Sequence, residues 1–496
     1  MPVLTRLARR VGLIPKPEPA PPPPPPPERR ARALPHELSL EHRERVISLL
    51  SEWGVATFPV AGFQPTRVRV GVIASSELWR LFAETELGDG TWWIRQDRRA
   101  CRIGGPAWFD RLEPQRVMQV YRMVEHVSGG RPIAEAGAVE VNLWRPDPMG
   151  GISTDSSNPV TMWLPEGVAV GCLDAPVPRS DQTADPVDVV ITWVTDADET
   201  WRADFQRIAE ESTGDPGLLP FALTPGRFRD SGELRYALRG IEANLPWVRM
   251  IHVVSGNRRP EWLADHPKIR FVHHSEILPT AALPTFNSHA IEAALHRIPG
   301  LAEQFVYFND DVFACNPLGT DRFFGPTGHP VIYLSRKPIG LPGHPLDTAP
   351  AMAADNARRI LRSWYGREID RTLLHVAHAM RRSYLDDLWR RAPEELGRTE
   401  HARVRRNTDI PPILLHHWDS LLRGAAAPSK ATCRVIDVGD PSSARALADL
   451  RSAKYMTDFV TLNQRDDARA EDVAQLVSAM EWIHPFPSSF EADSGA

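Results

Sequence analysis

Residues 187–194, VDVVITWV, are apolar at nearly every position. A strand with one wet face alternates, so a run like this must be covered on both faces, the condition of a central strand in a parallel sheet. It ends in the polar turn Thr195-Asp196-Ala197-Asp198. An amphipathic helix over Glu233–Asn244 stops near Pro246. Strands are predicted over Met250–Val254 and Ile269–His273, then a helix over Phe286–His296 with Asn287 or Ser288 near its cap. The next strand, Phe305–Phe308, runs into Asn309-Asp310-Asp311 before Val312 and Phe313 resume the apolar pattern. Strands alternating with helices predict an α/β fold with a doubly wound, Rossmann-like, mostly parallel sheet. After about residue 320 the pattern is that of a helical subdomain, with helices predicted over Ala351–Tyr365, Leu373–Arg391, Ile413–Leu422 and Glu471–Trp482 and an apolar segment over Lys454–Leu462.

The preceding residues read as other units. Residues 1–35 are expected to be a disordered tail, stiffened into polyproline II by Pro21–Pro27, with Glu28–Arg32 charged and exposed. Residues 36–175 read as a smaller α/β domain. Its helices are predicted over Leu40–Trp53, Ser75–Glu86 and Pro114–Val127, and its strands over Arg67–Ala74, Thr91–Arg95, Ala100–Ile103 and Val139–Trp144. The Trp92-Trp93 pair could stack on a sugar or serve packing. Pro176–Pro186 reads as a linker, residues 187–483 as the catalytic unit and 484–496 as a frayed tail. A net charge of −5 argues against a nucleic-acid binder. Four cysteines far apart, with no CxxC pair, argue against a zinc ribbon or disulfide scaffold and suit a reducing compartment. No run approaches the roughly 20 apolar residues of a membrane span, so a cytoplasmic protein is expected. Arg6, Arg9 and Arg10 leave loose contact with the inner membrane face open.

Four clusters after residue 187 carry the residue types of chemistry. Asp188 lies inside the apolar strand, with Asp196 and Asp198 beyond its end. Arg227-Phe228-Arg229-Asp230-Ser231-Gly232-Glu233-Leu234-Arg235 opens a helix, where guanidinium forks and backbone N–H groups together suit a phosphate. Asp310 and Asp311 are costly to bury unpaired and suit a hard cation such as Mg²⁺. His375 and His378, then Arg403, Arg405, Arg406 and Asp409, then His416-His417, offer proton carriers and cations. Each cluster has a plainer reading: a satisfied strand aspartate, self-paired helix charges, a solvated Asn-Asp turn, structural histidines.

The blocks VDVVITWVTDADETW, RFRDSGELRYALRGIEANLPWVRMIHVVSGNRRPEWL, LPTFNSHAIE, FVYFNDDVF, HVAHAMRR and RVRRNTDI resemble, in this order, the sequence blocks of the Stealth family. That family includes bacterial capsular and exopolysaccharide phosphotransferases and the catalytic chain of animal N-acetylglucosamine-1-phosphotransferase. The resemblance covers roughly residues 187–470 and implies a glycosyltransferase-A-like fold. It implies transfer of a sugar 1-phosphate from a UDP-sugar to a hydroxyl of an acceptor glycan, with release of UMP and with Mg²⁺ or Mn²⁺ as cofactor. The matching residues are Asp188, Thr192, Trp193 and Asp198 in the first block, and Arg229, Asp230, Glu233 and Arg235 in the second. Asn287, Ser288 and His289 match next, then Asn309, Asp310 and Asp311, then His375, His378, Arg405 and Asp409, and last Asn463. Three positions depart: Thr195 replaces an aspartate, Ala377 a proline, and Gln464 an aspartate.

The expected roles follow from phosphoryl chemistry, which asks for alignment and charge neutralisation rather than covalent help. Asp310, Asp311 or both would hold the metal against the diphosphate. Arg229 and Arg405 would neutralise its oxygens. His375 would take the acceptor proton, with Asp311 as the alternative base. A glycosyltransferase that releases UDP, and a carbohydrate-binding scaffold without turnover, are the rival readings. The role of residues 36–175 stays open between orienting the acceptor and self-association, for instance as a homodimer.

Overall fold

The computed structural model describes residues 25–60, 68–73, 78, 82, 86–96, 99–103, 117–155, 161–174, 183, 185–215, 217–219, 222–339, 349–452 and 456–492. Residues 21–24 of the polyproline run, and most of the helix expected over Ser75–Glu86 and of the linker over Pro176–Pro186, lie outside the described residues.

The catalytic unit is built on a five-stranded sheet. Strands β1 (Val187–Thr192), β2 (Ile251–Ser255), β3 (Ile269–His273) and β4 (Gln304–Asn309) run parallel in the order β3-β2-β1-β4. A short β5 (Val312–Ala314) leaves after Asp310-Asp311, and β6 (His378–Arg381) closes the first sheet antiparallel to β4. Strands β7 (Cys433–Val438) and β8 (Phe459–Gln464) are parallel to each other, and β8 pairs antiparallel with β5. The continuous apolar character of β1 and β4 has a direct cause. Val189, Ile191, Val306 and Phe308 pack on one side of the sheet with Leu234, Leu238 and Ile241 of helix α2 (Glu233–Asn244), which follows helix α1 (Glu199–Ser212) in the chain. Val190, Phe305 and Tyr307 pack on the other with Leu361, Leu385 and Leu415 of the helices after residue 349. Chain order reverses between β1 and β4, which puts the crevice used by open α/β sheets at Thr192 and Asn309.

The expected helix over Leu373–Arg391 is corrected. Arg371–Leu373 and His378–Arg381 are strands, and only Arg382–Arg391 is helical. His375 and His378 therefore share no helix face.

Residues 36–175 carry an eight-stranded mixed sheet, with the helix Pro35–Glu52 packed on it through Val46, Leu49 and Leu50. The helix expected over Pro114–Val127 is corrected: its described part forms the strands Met118–Arg122 and Val124–His126. The tail is shorter than expected, because Glu28–Arg30 pair in parallel with Val124–His126 and Arg30 bonds Glu41. The frayed terminus is also corrected. Phe490 is buried, Glu491 receives both Arg239 Nε and Nη2 at 2.7 Å, and the N–H of Ala492 donates to Trp262. Arg131 joins the two units, its Nη1 donating to the Cys315 carbonyl at 2.5 Å and its backbone N–H to that of Trp482.

Candidate active site

The carboxyl ends of β1 and β4 set the position of the site. After Asn309 the chain makes the tight turn Asp310-Asp311, and the N–H of Leu462 on β8 holds the Asp311 carbonyl at 3.1 Å. Burial pushes the Asp310 carboxyl well above the ordinary range, and the neighbouring charges of Asp311, Glu233 and Asp230 push the same way. Burial also raises Asp311, opposed by His375 and reinforced by Asp437. One Asp311 oxygen, Oδ1, is buried without a hydrogen-bond partner. Glu233 is held up to about 8 by burial and by its hydrogen bond with Asp230, while Ser231 N–H donates to it at 2.5 Å. Four carboxyl groups therefore meet where N–H groups open helix α2, and they repel one another in the absence of a cation.

His375 faces this cluster from the segment before β6. Its Nε2 lies 3.0 Å from the Asn309 amide nitrogen and 3.5 Å from Asp311 Oδ1. With the amide as donor, Nε2 carries the lone pair. Thr461 Oγ1 donates to the His375 carbonyl at 2.7 Å and fixes the backbone. His378 is a different kind of histidine: burial first, then His417 and His375, hold it well below its ordinary value, and its ring packs edge-on to His417 at 5.2 Å. It stays neutral and half-buried at the start of β6.

The cationic side is formed by Arg405 and by Arg227, which the sequence places in the phosphate-suited cluster without singling it out. Arg405 Nη2 donates to Ser288 Oγ at 2.8 Å, its Nε is buried without a partner, and burial lowers its pKa although Glu292, Asp409 and Tyr307 oppose this. Beside it, Arg227 is brought down to about 9 by burial and by the Arg405 charge, with Asp466 opposing. Its Nη1 bonds only a carbonyl, that of Ala222. Two desolvated guanidiniums side by side form an anion site. Arg229, the expected partner, is corrected: its side chain is exposed, because the short 3-10 turn Pro225–Phe228 carries Arg227 inward and leaves Arg229 outside.

Ser288 and Asn287 are placed by local rules. Asn287 caps helix α3 (Ser288–Ala294) by accepting from His289 N–H, while its amide donates to Asp409 Oδ2 at 2.9 Å. Asp409 also accepts from Arg406 N–H and lies 3.8 Å from His289 Nδ1. Both are buried, and through Ala402 and Arg406 they hold the loop that carries Arg405. Thr192 Oγ1 meets Tyr307 OH at 3.0 Å across the switch point. Asn463 Nδ2 donates to Asp437 Oδ1 at 2.7 Å on the exposed face of β7 and β8.

Several expected substrate contacts lie elsewhere. Asp188 sits four residues before Thr192, about 13 Å from the carboxyl edge at ~3.3 Å per residue. It is fully buried and accepts from Arg249 Nε and Nη2, His252 Nε2 and Ala302 N–H. Burial works against its ionisation, and these donors outweigh it and hold its carboxyl low. Asp198 caps the helix Glu199–Ser212 and ties down Arg258 N–H. Trp193 is buried in the apolar core, and Arg235 lies over Trp262 and beside Glu491. These four are structural.

Asp310 and Asp311 fit the one or two carboxylates that Mg²⁺ takes beside phosphate oxygens and waters, and the orphaned Asp311 Oδ1 supplies a free lone pair. Among the described residues no group of three or more His, Cys, Asp or Glu side chains is arranged to hold a metal unaided.

Comparison with known proteins agrees with this arrangement of blocks. Residues 227–332 match Stealth protein conserved region 2, and residues 374–418 match conserved region 3. The exopolysaccharide phosphotransferase SCO6023 of Streptomyces coelicolor is 32% identical over 487 residues, covering 90% of this chain and 81% of its own. The capsular polysaccharide phosphotransferase LcbA of Aeromonas hydrophila is 36% identical over 271 residues, 54% of this chain and 75% of its own. The exopolysaccharide phosphotransferase CpsY of Mycobacterium tuberculosis is 35% identical over 324 residues, 63% of this chain and 59% of its own. With similarity that runs across both units of the fold and through the residues of its crevice, the chain belongs to the Stealth family of phosphotransferases.

Proposed function

We propose that this enzyme transfers a hexose or N-acetylhexosamine 1-phosphate from a UDP-sugar to a hydroxyl of an acceptor glycan in capsule or exopolysaccharide synthesis, releasing UMP. The observation that carries the proposal is the pairing of Arg227 and Arg405, two half-buried cations lacking a bonded carboxylate, near Tyr307, which also senses the charges of Asp310 and Asp311, with His375 within reach of Asp311. A diphosphate is the ligand that satisfies both halves: its oxygens neutralise the arginines and share a cation with the aspartates. The glycosyltransferase-A-like frame belongs to the same reading.

In this mechanism Arg227 and Arg405 bind the diphosphate and offset charge on its oxygens. Asp310 and Asp311 would hold Mg²⁺ or Mn²⁺, which supplies further charge neutralisation there. The Asn309 amide holds His375 Nε2 in the free enzyme, and the reacting hydroxyl takes the amide's place at that lone pair. The acceptor oxygen forms a bond to the β-phosphorus, the bond from that phosphorus to the bridging oxygen breaks, and UMP leaves with its electron pair. The hydroxyl proton passes to His375 Nε2, where the Asp311 carboxylate stabilises the imidazolium. Asp311 is the alternative base. We place the reaction in the cytoplasm, with loose contact to the inner membrane face through the basic start. The four cysteines, far apart in the chain and with no CxxC pair, suit that compartment. No helix of the described residues is long and apolar enough to cross a membrane.

The test is incubation with a panel of UDP-sugars, Mg²⁺ and candidate acceptor glycans, with nucleotide products separated. Acceptor-dependent UMP is the expected product. UDP would replace the reading with a glycosyltransferase, and sugar binding without turnover would replace it with a scaffold.

A further inference from the structure

We propose that Asp437 and Asn463 form an acceptor-side subsite that binds hydroxyls of a neutral sugar next to the reacting centre, and that Asp437 is a substrate-binding residue of this enzyme. The inference rests on the phosphotransfer reading and adds a place for its second substrate. The parallel register of β7 and β8 sets Asp437 directly opposite Asn463. Both side chains are exposed, while Ile436 and Val438 point to the core, so the pair stands on a rigid, pleated surface. Asn463 Nδ2 donates to Asp437 Oδ1 at 2.7 Å, which fixes both groups. That bond leaves Asp437 Oδ2, Asn463 Oδ1 and the second amide hydrogen for a ligand. Two acceptors and a donor held side by side match vicinal hydroxyls, each of which can donate and accept.

The position selects between the two substrates. Leu462, the neighbour of Asn463 on β8, donates its N–H to the Asp311 carbonyl at 3.1 Å. The His375 backbone is bound by Thr461, two residues before Asn463 on the same strand. The pair therefore flanks the proton acceptor, while Arg227, Arg405 and Ser288 form a separate cationic group. A carboxylate beside Asp311 repels a diphosphate and attracts hydroxyl donors. The anionic donor is drawn to the arginines and the neutral acceptor to this pair.

The experiment compares wild type, Asp437→Ala, Asp437→Asn, Asn463→Asp and the exchanged double variant Asp437→Asn/Asn463→Asp. Both residues are exposed, so the fold tolerates the changes. The acceptor is the one that supports turnover in the UDP-sugar panel. Loss of the carboxylate is expected to raise the acceptor KM by about 10- to 100-fold, the worth of a hydrogen bond to a charged group. Donor KM, and nucleotide release to water without acceptor, stay within about twofold of wild type. The double variant restores the pair with its roles exchanged and recovers most of the acceptor KM. An acceptor KM unchanged in Asp437→Ala overturns the subsite, as does a parallel loss of donor binding and hydrolysis. A wild type that releases UDP overturns the phosphotransfer reading and leaves the acceptor measurement standing. A reading independent of turnover is the Asn463 side-chain amide NMR signal, titrated with a set of neutral methyl glycosides. Movement with at least one glycoside is expected, and no movement with any of them overturns the subsite.

Discussion

Replacing Arg227 by methionine is expected to stabilise the free protein and abolish donor binding. The guanidinium is held at about 9 because burial and the Arg405 charge disfavour its charged form. Relative to its ordinary value this corresponds to roughly 5 kcal/mol between protonation states. Part of the side chain reaches solvent, which cuts the net cost of keeping the cation to about 1–3 kcal/mol. Because folding lowers the proton affinity, the cost is full below about pH 9 and fades only above it. Methionine keeps the stem and removes the charge, so the unfolding free energy in urea at pH 7 is expected to rise by about 1–3 kcal/mol. The same substitution removes half of the anion site. UDP at a hundred times its Kd stabilises wild type by about 2.7 kcal/mol and leaves the variant unmoved, and calorimetric titration with UDP loses its signal. A variant that is less stable than wild type and binds UDP with unchanged affinity would refute the argument, because Arg227 would then be a structural contact.

Further outcomes follow from the same geometry. His375→Ala lowers kcat by about 10²–10⁴-fold with donor KM little changed, read from initial rates of UMP formation, and chelation of divalent cations stops turnover. Asp188→Asn puts an amide against four donors and costs about 3–5 kcal/mol in urea unfolding, while substrate KM values hold in the folded fraction. Gly226→Ala drives a methyl into Asp466, whose Cα would lie 2.7 Å away, and displaces Arg227, so donor KM rises while the far edge of the sheet keeps its hydrogen-exchange protection. In metal-free protein Glu233 is held up to about 8, so stability falls as pH rises from the ordinary carboxylate range through about 8, and Glu233→Gln flattens that fall in a series of urea midpoints.

The strands of the catalytic unit were legible because burial on both faces leaves a mark in the sequence. Val189 and Ile191 face one helix layer while Val190 faces the other, so no alternation survives in β1. Asn287 was legible as a cap because that role depends on the next few residues alone. Periodicity failed where tertiary contacts overrode it. Val117, Val120, Tyr121 and Val124 repeat at helical spacing, yet Met118 and Val120 pair across a sheet with Val141 and Val139. His375 and His378 have the i, i+3 spacing of a helix face, but β6 completes the edge of the sheet beside β4 and seats His378 opposite Tyr307.

The site was less legible than the fold because its decisive distances join residues far apart in the chain. An aspartate inside an apolar strand reads the same whether it binds substrate or balances a cation. For Asp188 the answer lies in Arg249, 61 residues later, at the opposite sheet edge from the chemistry. Arg227 and Arg229 are chemically identical and two positions apart, and a single 3-10 turn decides which one meets Arg405. The same reasoning separates what the crevice needs from what surrounds it. A group poised for a ligand is left unsatisfied in the free protein, as with Arg405 Nε and Asp311 Oδ1. Asp188 and Asp198, by contrast, have their carboxylates held by nearby donors. In the proposed reaction the Arg227 cation and the crowded Asp310 carboxyl would serve opposite charges, the diphosphate on the arginines and the metal on the aspartates.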